Sequence, residues 1–191
     1  MAAETVLVTG VHREELAFGD RVTDRLDARG IDLLRIPEGV SQRCPDVGQQ
    51  FYYEARQREL YLQLHQQVKG RYGLLIDLHS GLDEGGASAD LYCHESALLD
   101  CVGSGLEDTR FAGSVRLIRI VAPGEPADAQ AQRGRVEAGA RTCIPPVIWE
   151  GGRPLYVGLE VYLPEDRAGV REAVALARHL IDRIRGCGAR D

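Results

Sequence analysis

The sequence predicts an α/β fold, a three-layer sandwich in which a mostly parallel (mixed) central sheet lies between helices on both faces. Three observations carry that expectation. Apolar runs with strand character, TVLVT, GLLIDLHSG, VRLIRIV and YVGLEVYL, alternate with longer amphipathic stretches, the order of repeated βαβ units. Glycines stand where those runs stop, as at Gly10 and Gly81. A chain of 191 residues can bury a core without disulfide or metal staples, so residues 1–191 are read as one domain.

In chain order, Thr5–Thr9 is a buried strand that Gly10 ends in a sharp turn. Residues 14–29 form a helix, because Leu16, Phe18, Val22 and Leu26 recur near helical spacing and Gly30 follows as a C-cap. The run 31–36 is the second strand, followed by a turn-rich loop. Residues 49–69 are polar and glycine-free, with Tyr53, Leu60, Leu64 and Val68 as an apolar stripe, which makes one long amphipathic helix. Strands follow at 73–81, 115–121, about 142–149 and 156–163. The last helix spans about 168–185, with Val170, Val174, Ala177, Ile181 and Ile184 on one face. The segment GLDEGGASAD reads as a flexible loop bordering His79, and residues 122–140, small and polar, read as a long loop or lid.

The bulk numbers exclude several classes. A net charge of −6 without a basic tract argues against nucleic acid as a partner. No apolar run is long enough to span a membrane, and the amino terminus lacks a signal-peptide pattern, so a cytoplasmic location is expected. Five cysteines, an odd count with no C-x-x-C pair, indicate neither a disulfide framework nor a cysteine zinc knuckle. The partner is expected to be a small molecule or short peptide.

In α/β sheets ligands bind beyond the carboxyl ends of the strands. His12 and Glu15 follow the first strand, three residues apart on a helical start, so their side chains share a face. His79 ends GLLIDLHSG. With those two strands parallel and close, two imidazoles and one carboxylate converge, a set that holds a catalytic zinc with an open position for water and a carbonyl. Ligating histidines need an acceptor for the second ring nitrogen. Asp77, on the same strand face as His79, is placed to serve either ring or to cap a neighbouring loop.

The segments GVHREELAF and IDLHSG resemble the two ligand motifs of the zinc carboxypeptidase and aspartoacylase/succinylglutamate desuccinylase superfamily. That resemblance implies one zinc ion on His12, Glu15 and His79. It also implies Glu160, in YVGLEVYL, as general base for the attacking water. A local argument agrees, since Glu160 is the lone acid in an uncharged run, and a buried carboxylate is costly unless paired or near a metal. The implied activity is zinc-dependent hydrolysis of an amide bond, as a carboxypeptidase-like enzyme or an N-acyl amino acid deacylase.

The chain departs from the pattern at three points. Arg13 stands where the superfamily has glycine, the interval from Glu15 to His79 is short, and the Asn-Arg motif for the substrate carboxylate is absent. Arg43 and Arg56 are the nearest substitutes for that arginine, and Tyr92, Tyr156 and Tyr162 are alternative donors to a transition-state oxygen. These departures motivate a second reading, a non-catalytic metal- or ligand-binding relative of the same fold. His94 beside Cys93 does not form a direct pair with it, because sequence neighbours in a strand point apart, and His65 and His179 within helices read as surface or partly buried packing residues.

Overall fold

A computed structural model describes residues 4–27, 29–41, 47–82, 85–122, 136–140 and 142–188. A seven-stranded sheet organises them in the order β2-β1-β3-β7-β4-β5-β6. The strands are β1 (Thr5–Thr9), β2 (Ile31–Arg35), β3 (Leu74–Leu82), β4 (Ser88–Cys93), β5 (Val115–Ile120), β6 (Val136–Ala140) and β7 (Leu155–Leu163). Every neighbouring pair is parallel except β4 with β7, so the sheet is mixed. That one antiparallel pair brings the amino ends of β4 and β5 to the edge where β1, β3 and β7 finish.

Both faces are covered. On one lie α1 (Leu16–Thr23), α3 (Ser96–Ser104) and α5 (Arg167–Gly188), with Phe18, Val22, Leu99, Leu176, Leu180 and Ile184 buried against Leu7, Ile76 and Leu159. Each large aliphatic side chain so buried is worth roughly 1.5–3 kcal/mol. On the other lie α2 (Gln50–Val68) and the short α4 (Pro146–Trp149), which set Tyr61, Leu64, Val68 and Trp149 against Val6, Val8 and Leu75. Among the described residues no helix is long and apolar enough to cross a membrane.

The fold class stands as predicted, with local corrections. The first helix stops at Thr23, whose hydroxyl bonds back to the carbonyls of Gly19 and Asp20, and Leu26 closes a three-residue turn onto Thr23. Side chains that satisfy nearby backbone in this way compete with helix continuation. Residues 142–149 are not a strand, because Pro145 and Pro146 cannot donate to a ladder whereas proline fits the first turn of a helix. The stretch 81–90, read as a loop, ends in β4; of 122–140, read as a loop or lid, residues 136–140 form β6 and residues 123–135 lie outside the described residues. Cys101 and Cys187, separated by 86 residues, form a disulfide between α3 and α5, against the sequence expectation. Spacing alone could not show a pairing that depends on two helices packing side by side.

Candidate active site

Gly10 makes the site possible. At φ +82° it ends β1, and a Cβ there would stand 2.4 Å from the Ile36 carbonyl oxygen, so only glycine fits. The chain then extends through His12, which forms an isolated parallel bridge with Val40; Val40 donates to the Val11 carbonyl and Arg13 to the Val40 carbonyl. A 3-10 turn over Arg13–Glu15 follows and tucks Glu15 inward, with its side chain 3% exposed. Arg13 turns outward beside Glu14.

His79 reaches the same place from β3, which pairs directly with β1. Glu15 lies between the two imidazoles: Oε1 is 3.0 Å from His12 Nδ1, and Oε2 is 3.0 Å from His79 Nδ1. The ring centroids are 5.1 Å apart. One ligand atom from each of the three residues falls within 4.8 Å of the others, close enough to share one ion. The donor set of two histidine nitrogens and one carboxylate fits zinc with an open coordination position.

Behind His79, its Nε2 lies 2.9 Å from Asp77 Oδ2. The same oxygen accepts the hydroxyls of Tyr61 at 2.8 Å and Tyr156 at 3.1 Å. Asp77 is fully buried, and this arrangement orients His79 so that Nδ1 faces Glu15 and His12. Burial alone would raise the Asp77 and Glu15 pKa values. The charge and hydrogen bond of His79, with the two tyrosines, outweigh it at Asp77, and the hydrogen bonds of His12 and His79 outweigh it at Glu15, so both carboxyls are held below their ordinary values. Burial pushes the His79 ring down, but the charge and hydrogen bond of Asp77, seconded by Glu15, raise it well above its usual value.

Glu160 on β7 pairs in register with His79. It lines, with His12, Glu15 and His79, a cavity of about 280 Å³ whose walls include Tyr92, Ile120, Ile144 and Tyr156, with Gly158 leaving space between them. Burial raises the Glu160 pKa; His79 opposes the shift, and the negative charges of Asp90 and Glu15 add to it.

The predicted site residues thus divide. His12, Glu15, His79 and Glu160 come together around one cavity, with Asp77 buried behind His79. Arg56 does not join them: it is exposed on α2 with its guanidinium 5.7 Å from the Tyr52 ring centroid, while Gln57 and Tyr61 take the inward positions. Arg43 lies outside the described residues. The hydroxyl of Tyr156 is committed to Asp77, and those of Tyr92 and Tyr162 to Asp90, so each of the three donates its proton within the protein. The role of Tyr61 escaped the sequence reading, although its spacing from Leu64 and Val68 puts it on the buried face of α2.

No protein family matches the chain, and no curated protein sequence does. Solved structures share its fold. Murine aminoacylase 3, in a form with one glutamate replaced by alanine, aligns at 12% identity with a TM-score of 0.50; the match covers 97% of this chain and 65% of that one, so this chain spans about two thirds of its length. A candidate metallopeptidase from Shewanella denitrificans aligns at 13% identity with a TM-score of 0.50, covering 96% of this chain and 74% of the other. The chain therefore has the α/β architecture of these two proteins.

Proposed function

We propose that this protein is a zinc-dependent hydrolase that cleaves the amide bond of a small N-acyl amino acid or short peptide. The observation that carries the reading is the convergence of His12, Glu15 and His79 in a cavity that Glu160 also lines. The shared fold with an aminoacylase and a candidate metallopeptidase agrees with it.

His12, Glu15 and His79 hold the ion, which when bound supplies Lewis acidity to a water and to the scissile carbonyl. Asp77, fixed by Tyr61 and Tyr156, keeps the His79 ring aimed. Glu160 takes a proton from the attacking water and returns it to the departing amine. In the metal-free protein burial holds its pKa above the ordinary carboxylate value, which favours accepting a proton. The apolar walls at Ile120 and Ile144 shelter an acyl group or side chain.

The test is metal content together with turnover. Purified protein is expected to take up one zinc per chain, and Glu160→Gln is expected to retain that zinc while losing ~10²–10⁴-fold in kcat on an N-acyl amino acid panel. Failure to take up added zinc, or full activity in Glu160→Gln, would overturn the reading.

A further inference from the structure

Most polar side chains that line the metal cavity already have a partner or a task. Tyr61 and Tyr156 give their hydroxyl protons to Asp77, and Tyr92 gives its own to Asp90. Thr142 Oγ1 accepts the Ile144 N–H at 3.1 Å. His12, Glu15, His79 and Glu160 serve the ion and the water. Gln57 stands apart from all of these: it lines the same cavity, and among the described residues no group bonds either end of its carboxamide.

Its place on α2 gives that freedom a consequence. Gln57 lies four residues before Tyr61, on the helical face that Tyr61, Leu64 and Val68 bury against the sheet. An apolar residue would continue that stripe, yet the position holds an amide, partly buried, in a cavity whose other walls include Ile120 and Ile144. A substrate that displaces water from this amide must replace its hydrogen bonds or bind less tightly. Tyr61 comes within 3.3 Å of His79 Nε2, and one turn of helix, about 6 Å along the axis, separates Tyr61 from Gln57.

We propose that Gln57 is a specificity-determining residue of this site, and that its carboxamide pairs with a second amide of the substrate, within about two residues of the scissile one. The inference rests on the hydrolase reading above. Two extended residues span about 7 Å, which covers the single helical turn between Gln57 and the level of His79. A carboxamide carries both a donor and an acceptor, so it can donate to the carbonyl of a substrate amide or accept its N–H. A carboxylate would take only the N–H2 and leave Oε1 unpaired, and a hydrocarbon chain would leave both ends unpaired. The preferred substrate is thus a short peptide or an N-acyl amino acid amide, with at least two amides, rather than a compound whose scissile amide stands alone.

Zinc-loaded full-length protein is assayed on N-acetylalanine methylamide, in which either amide is open to cleavage, and on the two analogues that carry CH2–CH2 in place of one amide. Wild type is expected to prefer the two-amide compound. Gln57→Met, which keeps length and helix propensity, is expected to lower that preference in kcat/KM by ~10-fold, mainly through KM. Gln57→Asn, whose carboxamide is withdrawn by one methylene, is expected to lose part of it. Calorimetry of the same compounds with Glu160→Gln, alone and combined with Gln57→Met, reads the preference without turnover. A two-amide preference that is absent from wild type, or that survives in Gln57→Met, overturns the assignment. Gln57-dependent binding of the two-amide compound in a protein that hydrolyses no amide upholds the role of Gln57 and overturns the hydrolase reading. Hydrolysis that is indifferent to Gln57 does the reverse.

Discussion

Replacing Asp77 by asparagine tests whether the cluster behind His79 serves the metal. The substitution preserves volume and changes a charged acceptor into a neutral amide. The perturbed atom is Oδ2, which lies 2.9 Å from His79 Nε2 and takes two tyrosine hydroxyls, in a residue with no solvent exposure. Asparagine can keep its one oxygen under all three donors, but it loses the negative charge that favours a donating His79 ring and puts an amide N–H2 where Oδ1 is buried without a hydrogen-bond partner among the described residues. Loss of such an outer partner commonly weakens metal affinity ~10–100-fold, about 1.4–2.7 kcal/mol. The expected result is a zinc affinity weaker by that factor in competition with a chromophoric chelator at fixed pH, with the stoichiometry still one per chain. Glu15→Gln provides the scale, because it removes a ligand and is expected to cost far more. Asp77→Asn with zinc affinity within twofold of wild type, in a protein whose circular dichroism is unchanged, would refute the assignment of Asp77 as the group that aims His79.

Further expectations follow from the same geometry. In metal-free protein the raised pKa of His79 contributes stability that is complete below about 6.5, its unfolded value, and is lost as pH rises through the folded value, so the apo Tm is expected to fall as pH rises above neutrality and His79→Gln to flatten that slope. The lowered pKa values of Glu15 and Asp77 act in the opposite direction, adding stability above the ordinary carboxylate range that disappears as acid titrates them, which a Tm series below pH 5 reads. Paired substitution of Cys101 and Cys187 by serine is expected to cost roughly 2–4 kcal/mol in denaturant unfolding, since the bridge closes a loop of 86 residues. Gly10→Ala is expected to lower Tm and reduce zinc occupancy together, because the added methyl meets the Ile36 carbonyl and must shift the turn that carries His12.

Much of the fold was legible because its strongest elements declare themselves locally. β1 and β3 are apolar runs closed by glycine or turn residues, and α2 and α5 repeat apolar residues at helical spacing over five or more turns. The strand-end rule then located His12, Glu15 and His79 with no knowledge of register. β4 was hidden because it emerges from a glycine-rich segment and its apolar residues are interrupted by Ser88 and Asp90. The apolar face of α5 also lies partly around the helix from the one expected, on Ala173, Leu176 and Leu180 as well as Ala177, Ile181 and Ile184.

The misplacement of β4 had a larger consequence than one missing strand. A rule that searches the carboxyl ends of parallel strands never inspects the beginnings of strands, where Asp90 and Arg116 lie. The antiparallel pairing of β4 with β7 reverses direction midway across the sheet, so the amino ends of β4 and β5 share an edge with the carboxyl ends of β3 and β7. That reversal sets Asp90 opposite Glu160 and Arg116 beside Asp90, where it lines a separate hollow with Ser88, Ser114 and Tyr162. Arg43 and Arg56 were the nearest substitutes for the missing Asn-Arg motif; Arg56 stays exposed on α2, and Arg43 lies outside the described residues. The order of strands in space, rather than the order of residues along the chain, decides which side chains face one another across the sheet.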